Sequence, residues 1–388
     1  MNRPSSISRV PPSAAADEGA RRPFARPGAA AAIRVMIVDD SLTVRTIFKR
    51  MVESDPALVI VGTASSAERA IVQLGETPAD VVLLDLEMPG IGGLDALPAI
   101  LATPGSPQVL VVSSLTMDGA EHTLSALQMG AADTLLKPRP GGFTEDYRAQ
   151  LLGKIRALGT RSADRSGDSA LVPQRSEPPA SFVRPPLGRR RVRPEVVAIG
   201  ASTGGIHALG LMLRRIGPEF DLPLLITQHL PASFIPVFAR QVETACGRPA
   251  DIAADGLTLS PGRIIIAPGH GHIVVERKGA RLVTRISTEP VPSGCVPSVD
   301  PMFASLAEAC EGRALGVLLS GMGRDGAAGA QMLVDAGGTI YAQDADTSAV
   351  WGMPGAVARA GLTSLVAPPE RLGEAVMAQG CAAATRQA

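Results

Sequence analysis

Three side chains in the second half of the chain are of the types that nucleophilic hydrolysis needs: Ser202, His229 and Asp325. A serine hydroxyl is a poor nucleophile until an imidazole takes its proton. The imidazole in turn needs a carboxylate to fix its tautomer and stabilise its protonated form. Ser202 lies in Gly200-Ala201-Ser202-Thr203-Gly204, a G-x-S-x-G pattern. It stands between the apolar run Val196-Val197-Ala198-Ile199 and a helical stripe of Ile206, Leu209, Leu213 and Ile216. The glycines permit a sharp strand-to-helix turn that presents the hydroxyl at the top of a sheet. Read alone, the same turn suits a phosphate on the helix-start N–H groups, or no ligand at all. His229, in Gln228-His229-Leu230-Pro231, follows the apolar run Pro223 to Thr227. Asp325, in Ser320-Gly321-Met322-Gly323-Arg324-Asp325-Gly326, follows Leu315 to Leu319. Each comes just past the carboxyl end of a separate apolar strand, and neighbouring strands of an open α/β sheet build a common crevice there. Singly the three read as a helix-start serine, a buried histidine and a helix cap; jointly they point to a triad. Their order, Ser, His, Asp, differs from the Ser, Asp/Glu, His order of α/β-hydrolases, so the pattern does not import that fold. His270 and His272 form an H-x-H pair before a predicted hairpin, with no clear third metal ligand nearby, and read as loop residues. His207, in the helix after Ser202, reads as a residue near the surface.

A second constellation occupies the first half. Asp39 and Asp40 end the apolar run Ile33 to Val38, Asp85 ends Val81 to Leu84, Ser113 ends Gln108 to Val112, and Lys137 follows Leu135-Leu136. Carboxylates brought together repel one another unless a hard divalent cation joins them, and oxygen ligands suit magnesium. A lysine and a hydroxyl then hold the oxygens of an incoming phosphoryl group. Any one of these aspartates alone reads as a helix cap; the ordered set reads as a phosphoacceptor site.

The elements that must position these groups follow from periodicity. In both halves short apolar runs alternate with amphipathic stripes, which argues for parallel sheets with helices on both faces. The first half carries stripes at Val44, Ile47, Phe48, Met51 and at Ala67, Ala70, Ile71, Leu74, with a strand at Leu58 to Gly62 between them. Pro98 interrupts the third helical pattern and predicts a kink or a late start. The second half carries stripes at Ile235, Phe238, Ala239, Val242 and at Val299, Phe303, Leu306, Cys310. Ile273 to Arg277 and Arg281 to Ile286 flank Lys278-Gly279 as a hairpin. The predicted boundaries are a disordered tail over 1–32, one α/β domain over 33–152, a linker over 153–194, a second, mainly parallel α/β domain with a hairpin insertion over 195–380, and a tail over 381–388. The linker is rich in Pro, Ser and Arg, and its basic run Arg189-Arg190-Arg191 with Arg193 reads as solvated.

Composition excludes several classes. A chain of 388 residues is too long for one ordinary core. Lysine plus arginine and aspartate plus glutamate both total 37, so net charge gives no argument for nucleic acid or an anionic membrane as partner. The second half opens on a strand and does not look like a helix-turn-helix output module. Apolar runs fall short of the ~18 residues of a membrane span. The run Ala29 to Ala32 is too short for a signal-peptide core. The four cysteines, Cys246, Cys295, Cys310 and Cys381, show neither C-x-x-C nor metal-type spacing, which suggests a reducing, cytoplasmic compartment.

The first half resembles a response-regulator receiver domain, which is a doubly wound, flavodoxin-like fold. The likeness rests on Val38-Asp39-Asp40-Ser41, Leu84-Asp85-Leu86-Glu87-Met88-Pro89-Gly90, Val112-Ser113-Ser114 and Leu136-Lys137-Pro138. It implies that Asp85 accepts a phosphoryl group from a histidine kinase, that Asp39 and Asp40 join Asp85 in holding magnesium, and that Ser113 and Lys137 form the switch. Thr134 stands where many receivers carry an aromatic switch residue. The second half resembles the catalytic domain of the CheB family of chemotaxis protein-glutamate methylesterases/glutaminases. Beyond the three segments above, the likeness rests on Ile266-Ala267-Pro268-Gly269, Pro297-Ser298-Val299-Asp300, Ala342-Gln343-Asp344 and Trp351-Gly352-Met353-Pro354. It implies hydrolysis of glutamate methyl esters and deamidation of glutamines on chemoreceptor signalling helices in chemotaxis adaptation. Ser202 is then the nucleophile, His229 the general base and acid, and Asp325 the orienting carboxylate. No cofactor is implied for the hydrolysis, and magnesium belongs to the receiver. The oxyanion is expected on backbone N–H groups near Thr203 or in the Gly321 to Gly323 loop. Cys295 stands where relatives often carry a histidine or arginine. The domain order implies that the receiver covers the Ser202 crevice until Asp85 is phosphorylated. The alternative is a receiver-controlled binding module without catalysis, which leaves the His229 and Asp325 loops unexplained.

Overall fold

A computed structural model describes residues 32–113, 117–138, 142–166 and 193–380. The first α/β unit runs β1 (Ile33–Val38), α1 (Leu42–Glu53), β2 (Leu58–Ala64), α2 (Ala67–Glu76), β3 (Val81–Asp85), α3 (Gly92–Leu101), β4 (Gln108–Ser113), α4 (Met117–Met129), β5 (Asp133–Leu136) and α5 (Glu145–Ser166). Its five-stranded sheet has the order β2-β1-β3-β4-β5, and every pairing is parallel. The central strand β3, VVLLD, is buried along its whole length, as a strand covered by helices on both faces must be. Ser41 and Ser66 start α1 and α2 by accepting from Val44 N and Arg69 N.

Of the two alternatives at Pro98 the late start is not found: α3 begins at Gly92 and carries Pro98 within it, forgoing the hydrogen bond that the missing N–H would make. One expectation for this unit is corrected. The linker does not start at 153, because α5 continues to Ser166. Leu151, Ile155 and Leu158 form a stripe that crosses the expected boundary and is buried against Ile33, Val35 and Ile37 of β1. Arg189 to Arg191 and the tails 1–31 and 381–388 lie outside the described residues. Arg193, at the end of the basic run, is exposed and also paired. It donates to Asp221 Oδ1 at 3.0 Å and to the Gly380 carbonyl at 2.5 Å.

The second unit runs β6 (Val196–Ala201), α6 (Gly205–Leu213), β7 (Leu224–Gln228), α7 (Ile235–Cys246), β8 (Ala250–Ile252), β9 (Ile264–Ile266), β10 (His272–Lys278), β11 (Arg281–Ser287), α8 (Val299–Cys310), β12 (Ala314–Leu318), α9 (Ala327–Asp335), β13 (Thr339–Gln343), α10 (Met353–Arg359), β14 (Leu365–Ala367) and α11 (Pro369–Gly380). Its seven-stranded sheet has the order β14-β13-β12-β6-β7-β9-β8 with every pairing parallel. The hairpin β10–β11 is a separate antiparallel pair, registered from His272 opposite Ser287 to Lys278 opposite Arg281. It is tied to α8 where Val275 N donates to Ser305 Oγ at 2.9 Å. Helix α6 ends at Leu213, so Ile216 completes the apolar stripe from the following turn and is still buried. Strand β6 lies between β12 and β7, and this adjacency brings the ends of three chemistry-bearing strands together.

Candidate active site and phosphoacceptor site

The three catalytic candidates leave adjacent strands. Ser202 follows β6, His229 follows β7, and Asp325 lies in the loop after β12. His229 Nε2 donates to Asp325 Oδ2 at 2.7 Å. Asp325 is buried and saturated. Its Oδ2 also accepts from Val299 N at 2.7 Å, and its Oδ1 accepts from Ser298 Oγ at 2.5 Å. Burial alone would raise the Asp325 carboxyl; the His229, Ser298 and Val299 donors outweigh it and hold the group down at about 2. Burial alone would lower the His229 imidazole; the Asp325 carboxylate and the Cys295 sulfur outweigh it and raise the group to about 9. The structure records no hydrogen bond from the Ser202 hydroxyl to His229 among the described residues, and such contacts tighten when substrate binds.

The turn around Ser202 is fixed from several sides. Ser202 N donates to Ser320 O at 3.0 Å, and Gln228 Nε2 donates to Ser202 O at 3.0 Å. Ser320 Oγ donates to Thr203 O at 2.6 Å, and Ser320 N donates to Gln343 Oε1 at 2.7 Å. Trp351 Nε1 donates to Gln343 O at 2.8 Å. Gly204 has φ +74°, and a Cβ there would stand 2.5 Å from Ala349 Cβ. Gly321 likewise leaves room for the nucleophile, since a Cβ on it would meet Ser202 Cβ at 2.9 Å. Its own N–H is engaged by Val350 O at 3.0 Å, so within the expected Gly321 to Gly323 oxyanion loop this group is already occupied.

These supports were missed as functional residues, although their segments stand out in the sequence. Ser298 and Val299 belong to Pro297-Ser298-Val299-Asp300, Gln343 to Ala342-Gln343-Asp344, and Trp351 to Trp351-Gly352-Met353-Pro354. The bonds of Ser298, Val299 and Gln343 into the site span 23 to 27 residues of sequence, and Trp351 acts through Gln343, so no local pattern reveals them. His272 is a buried strand residue rather than a loop one: its Nδ1 accepts from Ser298 N at 2.9 Å and its Nε2 donates to Glu289 O at 3.0 Å.

The first unit lies over this crevice. Thr203 Oγ1 donates to Asp133 Oδ2 at 2.6 Å, and Gly204 N, at the start of α6, donates to Ala132 O at 2.6 Å. His207 is not a free surface residue: its Nδ1 donates to Gln128 O at 2.8 Å. Ser202 and His229 line a cavity of about 300 Å³ together with Asp133, Thr134, Leu135, Tyr147 and Lys154. Asp133 Oδ2 also accepts from Lys154 Nζ at 2.5 Å.

The carboxyl ends of β1, β3, β4 and β5 gather the second constellation. One ligand oxygen from each of Asp39, Asp40 and Asp85 lies within 4.8 Å of the others. Lys137 Nζ donates to Asp85 Oδ2 at 2.6 Å and stands 2.9 Å from Asp39 Oδ2. That second contact is an ion pair by distance; among the described residues Asp39 Oδ2 has no further partner, and Ser113 Oγ is buried without a hydrogen bond. Burial pushes the Asp85 carboxyl up to about 6 against the pull of Lys137, and the Asp39 charge adds to the rise. A divalent cation fits the three converging carboxylates, and a phosphoryl oxygen fits the unpartnered Ser113 hydroxyl.

A family model described as CheB methylesterase matches residues 197–376, and one described as a response regulator receiver domain matches residues 35–143. A protein-glutamate methylesterase/protein-glutamine glutaminase of Rhodospirillum rubrum is 41% identical over 360 residues, covering 87% of this chain and 92% of the relative. The protein of the same name from Azospirillum brasilense is 38% identical, with 88% and 91% covered. One from Caulobacter vibrioides is 41% identical, with 88% and 97% covered.

Proposed function

The chain belongs to the CheB family of protein-glutamate methylesterases/protein-glutamine glutaminases, and we propose that it demethylates glutamate methyl esters and deamidates glutamines on chemoreceptor signalling helices, under control of its receiver. The single observation that carries the reading is the 2.7 Å His229–Asp325 pair beside Ser202 in the matched segment. In the proposed reaction His229 takes the Ser202 proton as Oγ attacks the ester carbonyl, and Asp325 stabilises the imidazolium that results. The proton is returned to the leaving methoxide, giving methanol, or to the leaving amide, giving ammonia. Water, activated by the same imidazole, then releases the glutamate carboxylate from Ser202.

For regulation, Asp85 is the proposed phosphate acceptor from a histidine kinase, with Asp39, Asp40 and Asp85 holding magnesium. The cation supplies charge neutralisation for the transferred phosphoryl group. Lys137 and Ser113 would hold the phosphoryl oxygens. Strand β5 carries Asp133, which meets Thr203, and leads directly into Lys137, which meets Asp85. This four-residue span supports the view that phosphorylation loosens the receiver from the Ser202 turn. The receiver in this reading extends through α5, and residues 167–194 connect it to the catalytic domain. No described helix is long and apolar enough to cross a membrane, and we place the protein in the cytoplasm with the signalling ends of its receptor substrates.

The test is methanol release from methylated receptor fragments, comparing the wild type with Ser202→Ala, with and without a small phosphodonor. Release that rises with phosphodonor and vanishes in the variant is expected. No release by folded protein on authentic receptor would instead favour a binding module. A truncation beginning at Arg193 should exceed the unphosphorylated full chain in turnover; equal rates would count against occlusion.

A further inference from the structure

The loop 288–298, between β11 and α8, brings a third kind of ligand to the His229–Asp325 pair. Cys295 N donates to Ser293 Oγ at 3.3 Å, and Ser293 Oγ stands 3.4 Å from Asp325 Oδ1. This turn sets the Cys295 thiol against the imidazole, which holds the thiol below its ordinary range. One nitrogen of His229, the sulfur of Cys295 and one oxygen of Asp325 all lie within 4.8 Å of one another. Neither His229 nor Cys295 is fully buried, so the cluster is open to small solutes.

We propose that His229, Cys295 and Asp325 form a binding site for a borderline-soft divalent cation of the zinc class, and that its occupancy switches the hydrolase off. A nitrogen, sulfur and oxygen set suits zinc, whereas a thiolate disfavours magnesium and calcium. Zinc bonds of about 2.0–2.3 Å in a tetrahedron separate ligand atoms by roughly 3–4 Å. The cluster therefore needs only a small expansion, chiefly of the 2.7 Å His229–Asp325 hydrogen bond, whose proton the cation replaces. At neutral pH the protonated imidazole and a neutral thiol carry three protons. The metal-bound pair keeps one, on the imidazole nitrogen facing away from the cation, and two protons leave to solvent. Asp325 is already oriented by Ser298 Oγ and Val299 N, the kind of outer support that ligating carboxylates require. Three protein ligands leave the fourth position to water. A zinc-bound imidazole cannot take the Ser202 proton. That consequence rests on the triad reading above; the binding does not.

The test uses the full chain, freed of metal with a chelator. Zinc is titrated against a chromogenic zinc indicator, and cobalt is used as a spectroscopic substitute. One zinc per chain is expected to be lost from Cys295→Ala, with affinity down by at least about 100-fold, since even outer-shell partners are worth 10- to 100-fold. Cobalt should give a thiolate-to-metal absorption in the wild type that Cys295→Ala lacks. Methanol release by the wild type should fall with zinc and return with chelator, and the ratio of rates with and without zinc should stay near one in Cys295→Ala. Equal zinc binding by both proteins, or a wild-type cobalt spectrum without thiolate absorption, overturns the site. Cys295-dependent binding with undiminished turnover overturns its inhibitory role. Cys295-dependent binding with no turnover in any sample supports the site and counts against the esterase reading instead.

Discussion

Thr203, the residue after the candidate nucleophile, donates its hydroxyl to Asp133 of the receiver at 2.6 Å. One hydrogen bond therefore joins the turn that presents Ser202 to the strand that leads into Lys137, the proposed phosphoryl contact. The neighbouring Gly204 N–H, one of the helix-start donors suited to an anion, is occupied by the receiver's Ala132 carbonyl. This contact thus lies over Ser202 and engages polar groups beside it.

Asp133→Ala should raise turnover of the unphosphorylated full chain. A hydrogen bond to a charged acceptor contributes about 1.5–3 kcal/mol to the closed arrangement, which corresponds to roughly a 10- to 150-fold rise in basal methanol release, up to the ceiling set by full opening. The same substitution in a chain beginning at Arg193 is impossible by construction, so that truncation marks the ceiling. Basal release unchanged by Asp133→Ala would remove this bond from the switch.

Asp325→Asn keeps the shape of the buried side chain but takes away the charge that stabilises the protonated His229. Turnover should fall by about 10⁴-fold, with near-ultraviolet circular dichroism unchanged. A loss below tenfold would mean that Asp325 acts only as a structural anchor for Ser298 and Val299.

The pH profile carries a definite sign. The His229 imidazole, raised to about 9, is protonated at neutral pH and becomes a competent base only as pH rises. Methanol release from the free enzyme, read as kcat/KM, should climb with pH through an inflection near 9. The contribution of the same pair to folding stability is fully present below the ordinary histidine range and is lost as pH rises through about 9. Cys295→Ala removes one of the groups that raise the imidazole, so the inflection should move to lower pH. A profile unmoved by that substitution would separate Cys295 from His229.

Gly204→Ala should destabilise the fold and disable the site together. A side chain at φ +74° costs about 1–2 kcal/mol, and its Cβ, 2.5 Å from Ala349 Cβ, adds an overpacking cost of about 1–3 kcal/mol. Urea unfolding should report a loss of about 2–5 kcal/mol. A variant as stable as the wild type would mean that the turn can rearrange.

The sequence by itself determined the chemistry and most of its scaffold. Ser202, His229, Asp325, Asp39, Asp85 and Lys137 each come at or within a few residues of the end of a mainly apolar run. Such runs become buried parallel strands whatever surrounds them, so the end of each strand was legible from local hydrophobicity and the breaking glycines and prolines. The boundary at 152 was drawn too early: the stripe of Leu151, Ile155 and Leu158 continues the helical period of α5 into the segment read as linker, well before the prolines begin at Pro173. Only the tertiary structure decided the rest. It placed β6 between β12 and β7, it set Ser298 and Val299 on Asp325, it brought Cys295 to His229, and it laid Asp133 on Thr203. Each of these depends on strand order or on contacts across many tens of residues. Chain-local propensity carries no information about such pairings, because their free energy comes from burial and hydrogen bonding that exist only once distant segments have packed together.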